Sequence, residues 1–278
     1  MTDMLGKILL TGGNGFIGSH LAKALQLAGH ELVIASRSSG VDFNSMLNAT
    51  DWLPHLQGVD VVINSVGIIY ETRRQHFSTL HTLAPIALFE ACVLAGVKRV
   101  IQISALGADE SAFTPYQLSK KEADDVLRNL PLEWFVLRPS LVYGEGGKST
   151  ALFRQMANLP LIPVIEKGAQ RIQPVHVDDL AEAVLICLTS TSAKRTIDVV
   201  GPNAMSFTEW LQKLRANNGT KPVKTLSFPL PLVLSLSRIG HLFMPLLHPD
   251  NLRMLEQGST ADVQPFSQLL GRMPHDVP

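Results

Sequence analysis

Apolar positions along the chain fall into two rhythms that take turns: short unbroken runs, and longer stretches where apolar residues recur every three or four positions. The first run, Lys7-Ile8-Leu9-Leu10-Thr11, stops at Gly12-Gly13-Asn14-Gly15; Ile17, Leu21, Ala24, Leu25 and Ala28 then keep helical spacing until Gly29. Residues 31–36 (ELVIAS), 59–64 (VDVVIN), 97–104 (VKRVIQIS), 134–137 and 196–200 read as further strands. Val41-Asp42-Phe43 is the candidate for the third strand in chain order. Helical spacing returns over 77–95, 115–129 and 177–188. Unbroken rather than alternating runs suit a parallel sheet covered on both faces. Their alternation with helices predicts an α/β fold, a doubly wound parallel Rossmann sheet with right-handed crossovers.

Two stretches break the alternation. Residues 144–173 carry Gly146-Gly147, a helical piece near 151–157, Pro160 and Pro163; the other stretch runs from Pro202 onward. The expected division is a Rossmann domain of 1–143 plus 174–201, and a smaller substrate-binding cap region of 144–173 plus 202–278. Such a cap would sit over the carboxyl ends of the strands, where open α/β sheets bind ligands.

The first turn carries candidate chemistry. Gly12, Gly15 and Gly18 follow a strand and open a helix: the first permits a tight turn, the second lets backbone approach a pyrophosphate, the third lets helix and strand pack. Unpaired N–H groups at the helix start would face the phosphates. This predicts a nicotinamide dinucleotide site. A carboxylate at the end of the second strand would hold the ribose hydroxyl of NAD(H). Here that place reads Ser36-Arg37-Ser38, with no carboxylate between Leu32 and Gly40. Arg37 offers a guanidinium fork to a 2′-phosphate and the serines offer hydroxyls, so NADP(H) is favoured over NAD(H).

Tyr116 and Lys120 stand four residues apart and share one helix face, downstream of a strand ending in Ser104. A tyrosine ionises near pH 10, so acting as a base near neutrality needs roughly 4 kcal/mol of phenolate stabilisation. Lys120 and an oxidised nicotinamide ring would supply it, while Ser104 would hydrogen-bond the substrate oxygen.

At this point the chain resembles a known family. TGGNGFIGSH, ISALGADESAFTPYQLSKKEAD, LEWFVLRPSLVYGEGG and IQPVHVDDLAEAV together look like the short-chain dehydrogenase/reductase superfamily, in its extended and atypical, epimerase/dehydratase-like branches. The likeness covers nearly the whole chain. The tail LPLVLSLSRIGHLFMPLLHPDNLRMLEQGS is similar to the group of the nucleotide-binding accessory subunit of respiratory complex I and its bacterial relatives. The resemblance implies that Gly12, Gly15 and Gly18, with Phe16 and Ile17 between them, line the pyrophosphate, and that Arg37 meets the adenosine 2′-phosphate. It implies Ser65, Val66 and Gly67 near the cofactor ribose. Ser104, Tyr116 and Lys120 match the catalytic triad, with Lys120 also holding nicotinamide-ribose hydroxyls. Pro139, Ser140, Leu141 and Val142, after Arg138, match the segment at the nicotinamide end. His81 departs from the pattern: extended members commonly carry Asn there, which puts an Asn-dependent proton relay in question.

Composition narrows the partners. Of 278 residues 46% are apolar and 17% charged, with 24 basic and 24 acidic side chains balancing to zero. That balance argues against nucleic acid, which calls for a basic surplus. Cys92 and Cys187 sit in apolar helix-like stretches and read as small buried hydrophobes. His176, Asp178 and Asp179 suggest a metal site, but Asp178 and Asp179 stand at the start of a helix and read as capping carboxylates. Glu71, Arg73 and Arg74 read as a solvated loop, with the alternatives of binding an anionic substrate or forming part of a lid, and Arg171 as a candidate anion contact. The run 226–247 is interrupted by Pro229, Pro231, Arg238, His241 and Pro245, short of a membrane span. Its helix near 232–244 can line a lipophilic pocket, dock on a membrane or partner, or close the core; core is the reading taken. The expectation is a cytoplasmic oxidoreductase or epimerase-like enzyme, monomer or homodimer, that passes hydride between NADP(H) and a carbonyl or alcohol carbon of a small molecule, with Tyr116 as acid/base. The tail keeps a second reading open: a non-catalytic, NADP(H)-binding structural or assembly factor of a respiratory or membrane complex.

Overall fold

The structure is a computed structural model and describes residues 6–240 and 248–277. Along the chain run β1 (Lys7–Thr11), α1 (Phe16–Leu27), β2 (Leu32–Ala35), α2 (Ala49–Trp52), β3 (Val59–Asn64), α3 (Ala84–Ala95), β4 (Arg99–Ile103), α4 (Pro115–Asn129) and β5 (Glu133–Pro139). Then come β6 (Val142–Tyr143), α5 (Lys148–Ala157), β7 (Ile162–Ile165), β8 (Arg171–Ile172), β9 (Val175–His176), α6 (Val177–Thr189) and β10 (Arg195–Val199). The chain continues through β11 (Met205–Ser206), α7 (Phe207–Asn217), β12 (Thr225–Phe228), α8 (Leu230–Gly240), α9 (Pro249–Gln257) and α10 (Gln264–Leu270).

Six strands pair in the order β10-β5-β4-β3-β1-β2, every neighbour parallel, as the unbroken apolar runs predict. The order reverses between β1 and β3, and a crevice at such a switch point is where doubly wound sheets take ligands. Successive side chains alternate faces. Leu9, Val62, Val100 and Val136 pack one way, under Trp52, Leu88 and Phe89. Ile8, Leu10, Ile63, Ile101, Phe135 and Leu137 pack the other way, against Leu21, Leu25, Leu180 and Val184. Full burial of each such side chain contributes roughly 1.5–3 kcal/mol. Phe266 and Leu270 of α10 belong to this second layer, so the chain returns to the sheet after the cap.

Two expectations are corrected. Val41-Asp42-Phe43 is not a strand; Val41, Phe43 and Met46 are buried plugs of an irregular segment that packs on Trp52. Among the described residues β2 is the edge of the sheet, and this segment holds its place by apolar contacts. The helix expected over 77–95 is in two parts: a π-helical turn, Ser78–Leu83, leads into α3. Pro85 explains the join, since it has no N–H to give the carbonyl of His81, and the widened turn absorbs the mismatch. The helical stretch Ser78–Ala95 is long and apolar enough to cross a bilayer, yet 56% of it is buried, as a core helix would be.

The smaller region has its own apolar centre of Tyr143, Ile162, Val164, Ile172, Phe207, Trp210 and Leu211. Short pairings, β8 with β11 and β7 with β12, tie its two chain segments together. β6 and β9 pair where the chain leaves the sheet and where it returns. Leu226 and Leu232 are about half exposed. Of the apolar run 226–247, residues 241–247 lie outside the described residues.

Candidate active site

β1 ends at Thr11, and Gly12 turns the chain with φ +73°, a left-handed backbone; a Cβ there would sit 2.9 Å from the Ser65 backbone. A Cβ on Gly18 would lie 2.1 Å from the Gly12 carbonyl oxygen, so helix and turn touch only because residue 18 is glycine. Gly15 caps α1 without a side-chain bond, and no acidic residue occupies the first turn. The result is a cradle of backbone N–H groups suited to an anion. Ile17 packs back onto the second core layer. Phe16 points to the loop above: a Cβ on Gly147 would come within 3.1 Å of its ring.

Ala35 pairs with Thr11, so Ser36 starts beside this turn. Ser36 Oγ and Ser38 Oγ are 2.8 Å apart, and the Ser36 N–H donates to Ser39 Oγ at 2.9 Å, which holds the short helical turn Arg37–Ser39. Arg37 is exposed, and among the described residues no carboxylate pairs with it. A glycine cradle flanked by an unpaired guanidinium and two hydroxyls fits a dinucleotide.

The reacting end lies across the switch point. Thr114 caps α4 by accepting from the Gln117 N–H at 3.3 Å, and Pro115 follows. Tyr116 therefore sits in the first turn, where the helix dipole favours a phenolate. The rings of Phe77 and His81 meet it edge-on, at 5.8 and 5.4 Å. One turn on, the buried Lys120 Nζ donates to the carbonyls of Val66 at 3.1 Å and Ile103 at 3.2 Å. A Cβ on Gly67 would stand 3.2 Å from that ammonium, so Ser65, Val66 and Gly67 form the wall Lys120 leans on. Burial pushes Lys120 down to about 8, with Asp124 opposing the shift. Burial, then the charge of Asp124, pushes the Tyr116 phenol up to about 12.

Ser104 is buried, and its Oγ donates to the Asp124 carboxylate. The Leu106 N–H donates to the Pro139 carbonyl at 2.9 Å, which brings the start of the 139–142 segment beside Ser104. Ser140 Oγ donates to the Gln173 carbonyl at 2.6 Å, the Leu141 carbonyl accepts from Val175, and Val142 pairs with Val175. The rest of that segment is thus bound to the chain returning from the cap.

His81 is fully buried in the π-helical turn. Its Nε2 accepts from the Ile68 N–H at 3.0 Å, so in the neutral ring Nδ1 carries the proton, 3.1 Å from Ser119 Oγ. Ser119 Oγ in turn donates to the Tyr116 carbonyl at 2.9 Å. Burial, then Lys120, holds His81 well below the usual histidine range. It is a neutral brace between the chain after the Ser65–Gly67 wall and α4.

Several residues were not singled out by sequence reasoning. Asp124 extends the Tyr116–Lys120 face by one more turn, and that i+8 spacing was its only signal. Asn64 and Gln102, both fully buried at strand ends, gave none. At α6 the cap is His176 itself, whose Nδ1 accepts from the Asp178 N–H at 3.3 Å, while buried Asp179 binds Arg272 and His275. Among the described residues no cluster of metal-ligating side chains is found. Glu71 accepts from the Phe77 N–H at 2.7 Å and anchors its loop; Arg73 and Arg74 are exposed. Arg171 donates to the Ala204 carbonyl at 2.7 Å within the cap.

Comparison with known proteins gives relatives of three kinds. The ceramide reductase of Caulobacter vibrioides is 28% identical over 84% of this chain and 77% of its own length. The mouse mitochondrial NADH dehydrogenase [ubiquinone] 1 alpha subcomplex subunit 9 is 25% identical over 96% of this chain and 73% of its own. Among solved structures, MoeE5 in complex with UDP-glucuronic acid and NAD superposes with a TM-score of 0.72, covering 98% of this chain and 94% of that one at 23% identity, which establishes the shared fold. The oxidoreductase- and epimerase-like character read from the glycine turn and the Tyr–Lys face agrees with the family model, which matches residues 8–201: the chain belongs to the NAD dependent epimerase/dehydratase family.

Proposed function

We propose that the protein is an NADP(H)-dependent reductase acting on a carbonyl carbon, with Tyr116 as the proton donor. The carrying observation is that Lys120, one turn after Tyr116 on α4, binds the carbonyls of Val66 in the Ser65–Gly67 wall and of Ile103, the residue before Ser104. A reduced nicotinamide, when bound, supplies hydride to the carbonyl carbon. Tyr116, held neutral by burial, is ready to give its proton to the carbonyl oxygen. The ammonium of Lys120, close to the first turn of α4, then stabilises the phenolate left behind. Two of its three N–H groups are engaged by Val66 and Ile103; the third serves the ribose hydroxyls or the phenolate. Ser104 orients the substrate oxygen. Arg37, Ser36 and Ser38 favour the phosphorylated cofactor, since a guanidinium pairs with a 2′-phosphate in two parallel hydrogen bonds.

Thermal-shift titration with NADPH, NADP⁺, NADH and NAD⁺ tests the cofactor half, because a ligand of the native state raises apparent stability by mass action. Tyr116→Phe tests the chemistry. It should retain the NADPH shift and lose about 10²-fold or more of turnover. Undiminished turnover would refute the role of Tyr116.

A second reading has its own observation, the match over 96% of the chain to a mitochondrial complex subunit. In it the bound dinucleotide stabilises a member of a larger assembly. Affinity capture from the native host separates the two: a stoichiometric respiratory partner supports the second, a free protein removes it.

A further inference from the structure

Under the site runs a row of buried polar side chains that hydride transfer does not itself require. Thr11, Asn64 and Gln102 are register partners on β1, β3 and β4, and Asp124 closes the row from α4; all four are fully buried. Thr11 Oγ1 donates to Asn64 Oδ1 at 2.6 Å, and Asn64 Nδ2 donates to Gln102 Oε1 at 2.8 Å. Ser104 Oγ donates to Asp124 Oδ2. Two atoms are left over, Gln102 Nε2 and Asp124 Oδ1, both buried and without a hydrogen-bond partner. Interiors leave few such atoms, and each asks for a reason.

We propose that the proton on Asp124 gates Ser104: with Asp124 protonated Ser104 donates to the substrate oxygen, and with Asp124 ionised it does not. The inference rests on the reading of Tyr116 and Ser104 given above. A serine hydroxyl owns one proton, and an ionised carboxylate can only accept. In the resting structure that proton is spent on Asp124, so Ser104 would present lone pairs to a carbonyl oxygen, which also carries lone pairs. A protonated Asp124 reverses the bond by donating to Ser104 Oγ and frees the serine proton for the substrate. Protonation also removes the negative charge that, after burial, adds to the rise of the Tyr116 phenol.

The surroundings make the switch reachable. Burial raises the Asp124 carboxyl to about 6. Opposing the rise are Ser104, Lys120, Arg128 and the side chain of Gln102, which lies near without completing a hydrogen bond. On α4 the charged and titratable neighbours are thus Tyr116, Lys120 and Arg128. From the sheet the contacts are Ser104 and Gln102, neither of which titrates, and from the π-helical turn comes His81, kept neutral by burial and then by the charge of Lys120. Asp124 is a positioning residue, acting through Ser104.

The test compares the intact chain with Asp124→Asn and Ser104→Ala. Infrared difference spectra across the acid-to-neutral range should show a buried carboxylic-acid band that disappears around pH 6. The band should be missing in Asp124→Asn and should persist to higher pH in Ser104→Ala, where the carboxylate loses its donor. The second readout is NADPH-dependent reduction of diacetyl to acetoin, in which hydride reaches carbon and the Tyr116 proton reaches oxygen. Wild-type kcat should fall about tenfold through the same midpoint, the worth of one hydrogen bond. Asp124→Asn, whose amide donates to Ser104 at every pH, should lose that limb and keep the acid-side rate. A band untouched by Asp124→Asn, an unmoved midpoint in Ser104→Ala, or a wild-type pH limb surviving in Asp124→Asn would each overturn the gate. If wild type reduced no diacetyl, the catalytic reading would fall, while the infrared comparison would still decide whether Asp124 and Ser104 share the proton.

Discussion

Arg37 is one exposed side chain, yet the proposed choice of cofactor turns on it. Charge-assisted bonds to a 2′-phosphate are worth about 1.5–3 kcal/mol, so Arg37→Ala should weaken NADPH roughly 10- to 100-fold and leave NADH unchanged. Fluorescence titration measures both; equal losses would remove the preference. Asp124 gives a prediction of opposite character, in stability. Its carboxyl lies at about 6 against an ordinary 3.8, so the folded protein keeps a proton that the unfolded chain has released. This contribution is complete below about pH 4 and is lost as pH climbs through about 6, on the order of 3 kcal/mol in all. The advantage of Asp124→Asn over wild type in urea unfolding should therefore widen across that window. A constant difference would mean the carboxyl does not titrate there. Tyr116 and Lys120 were legible in the sequence because i,i+4 spacing on one helix is a local property. Asp124 was not, since an acid on an amphipathic helix ordinarily faces water. Its burial depends on Ser104 and Gln102, which reach it from another element.

Among the elements, α4 carries the proposed proton donor at its first turn, so in that reading its start must be fixed. The Thr114–Gln117 capping box and Pro115 do this. Thr114→Ala should cost about 1 kcal/mol by the usual worth of a cap, and it should lower turnover by more than the loss of folded protein explains. Calorimetry beside kinetics on the same sample checks it; turnover that follows stability alone would show that the cap does not position Tyr116. Strands were the most readable elements, because parallel buried strands announce themselves as unbroken apolar runs. Val41 to Phe43 misled for the same reason: alternate apolar residues look identical in a strand and in a plug. The π-helical turn was hidden because Pro85 near the start of a helix is ordinary, and only the continuous stretch on either side makes it a mid-helix proline.

For the molecule as a whole, the cap is an excursion between β5 and β10, extended after β10, and the chain then comes back. Phe266 is fully buried against α6 and β10, so Phe266→Ala should destabilise the sheet by about 3–5 kcal/mol and lower its melting temperature well before the cap is touched. A small change confined to cap signals would show α10 to be a passenger. The interruption of the strand–helix rhythm after β5 was legible; the return of α10 was not, since a short apolar helix carries no address.

The buried row of Thr11, Asn64 and Gln102 has a consequence for assembly itself. β3 and β4 are apolar on both faces, so greasy contacts alone are nearly indifferent to sliding one strand past the next by a residue. The amides are not indifferent. A slipped alignment would set Asn64 or Gln102 against valine or isoleucine, each stranded polar group costing about 1–3 kcal/mol. Three side chains, one from each of three adjacent strands, thereby act as alignment pins. A sheet able to close in several nearly equivalent ways is left with one.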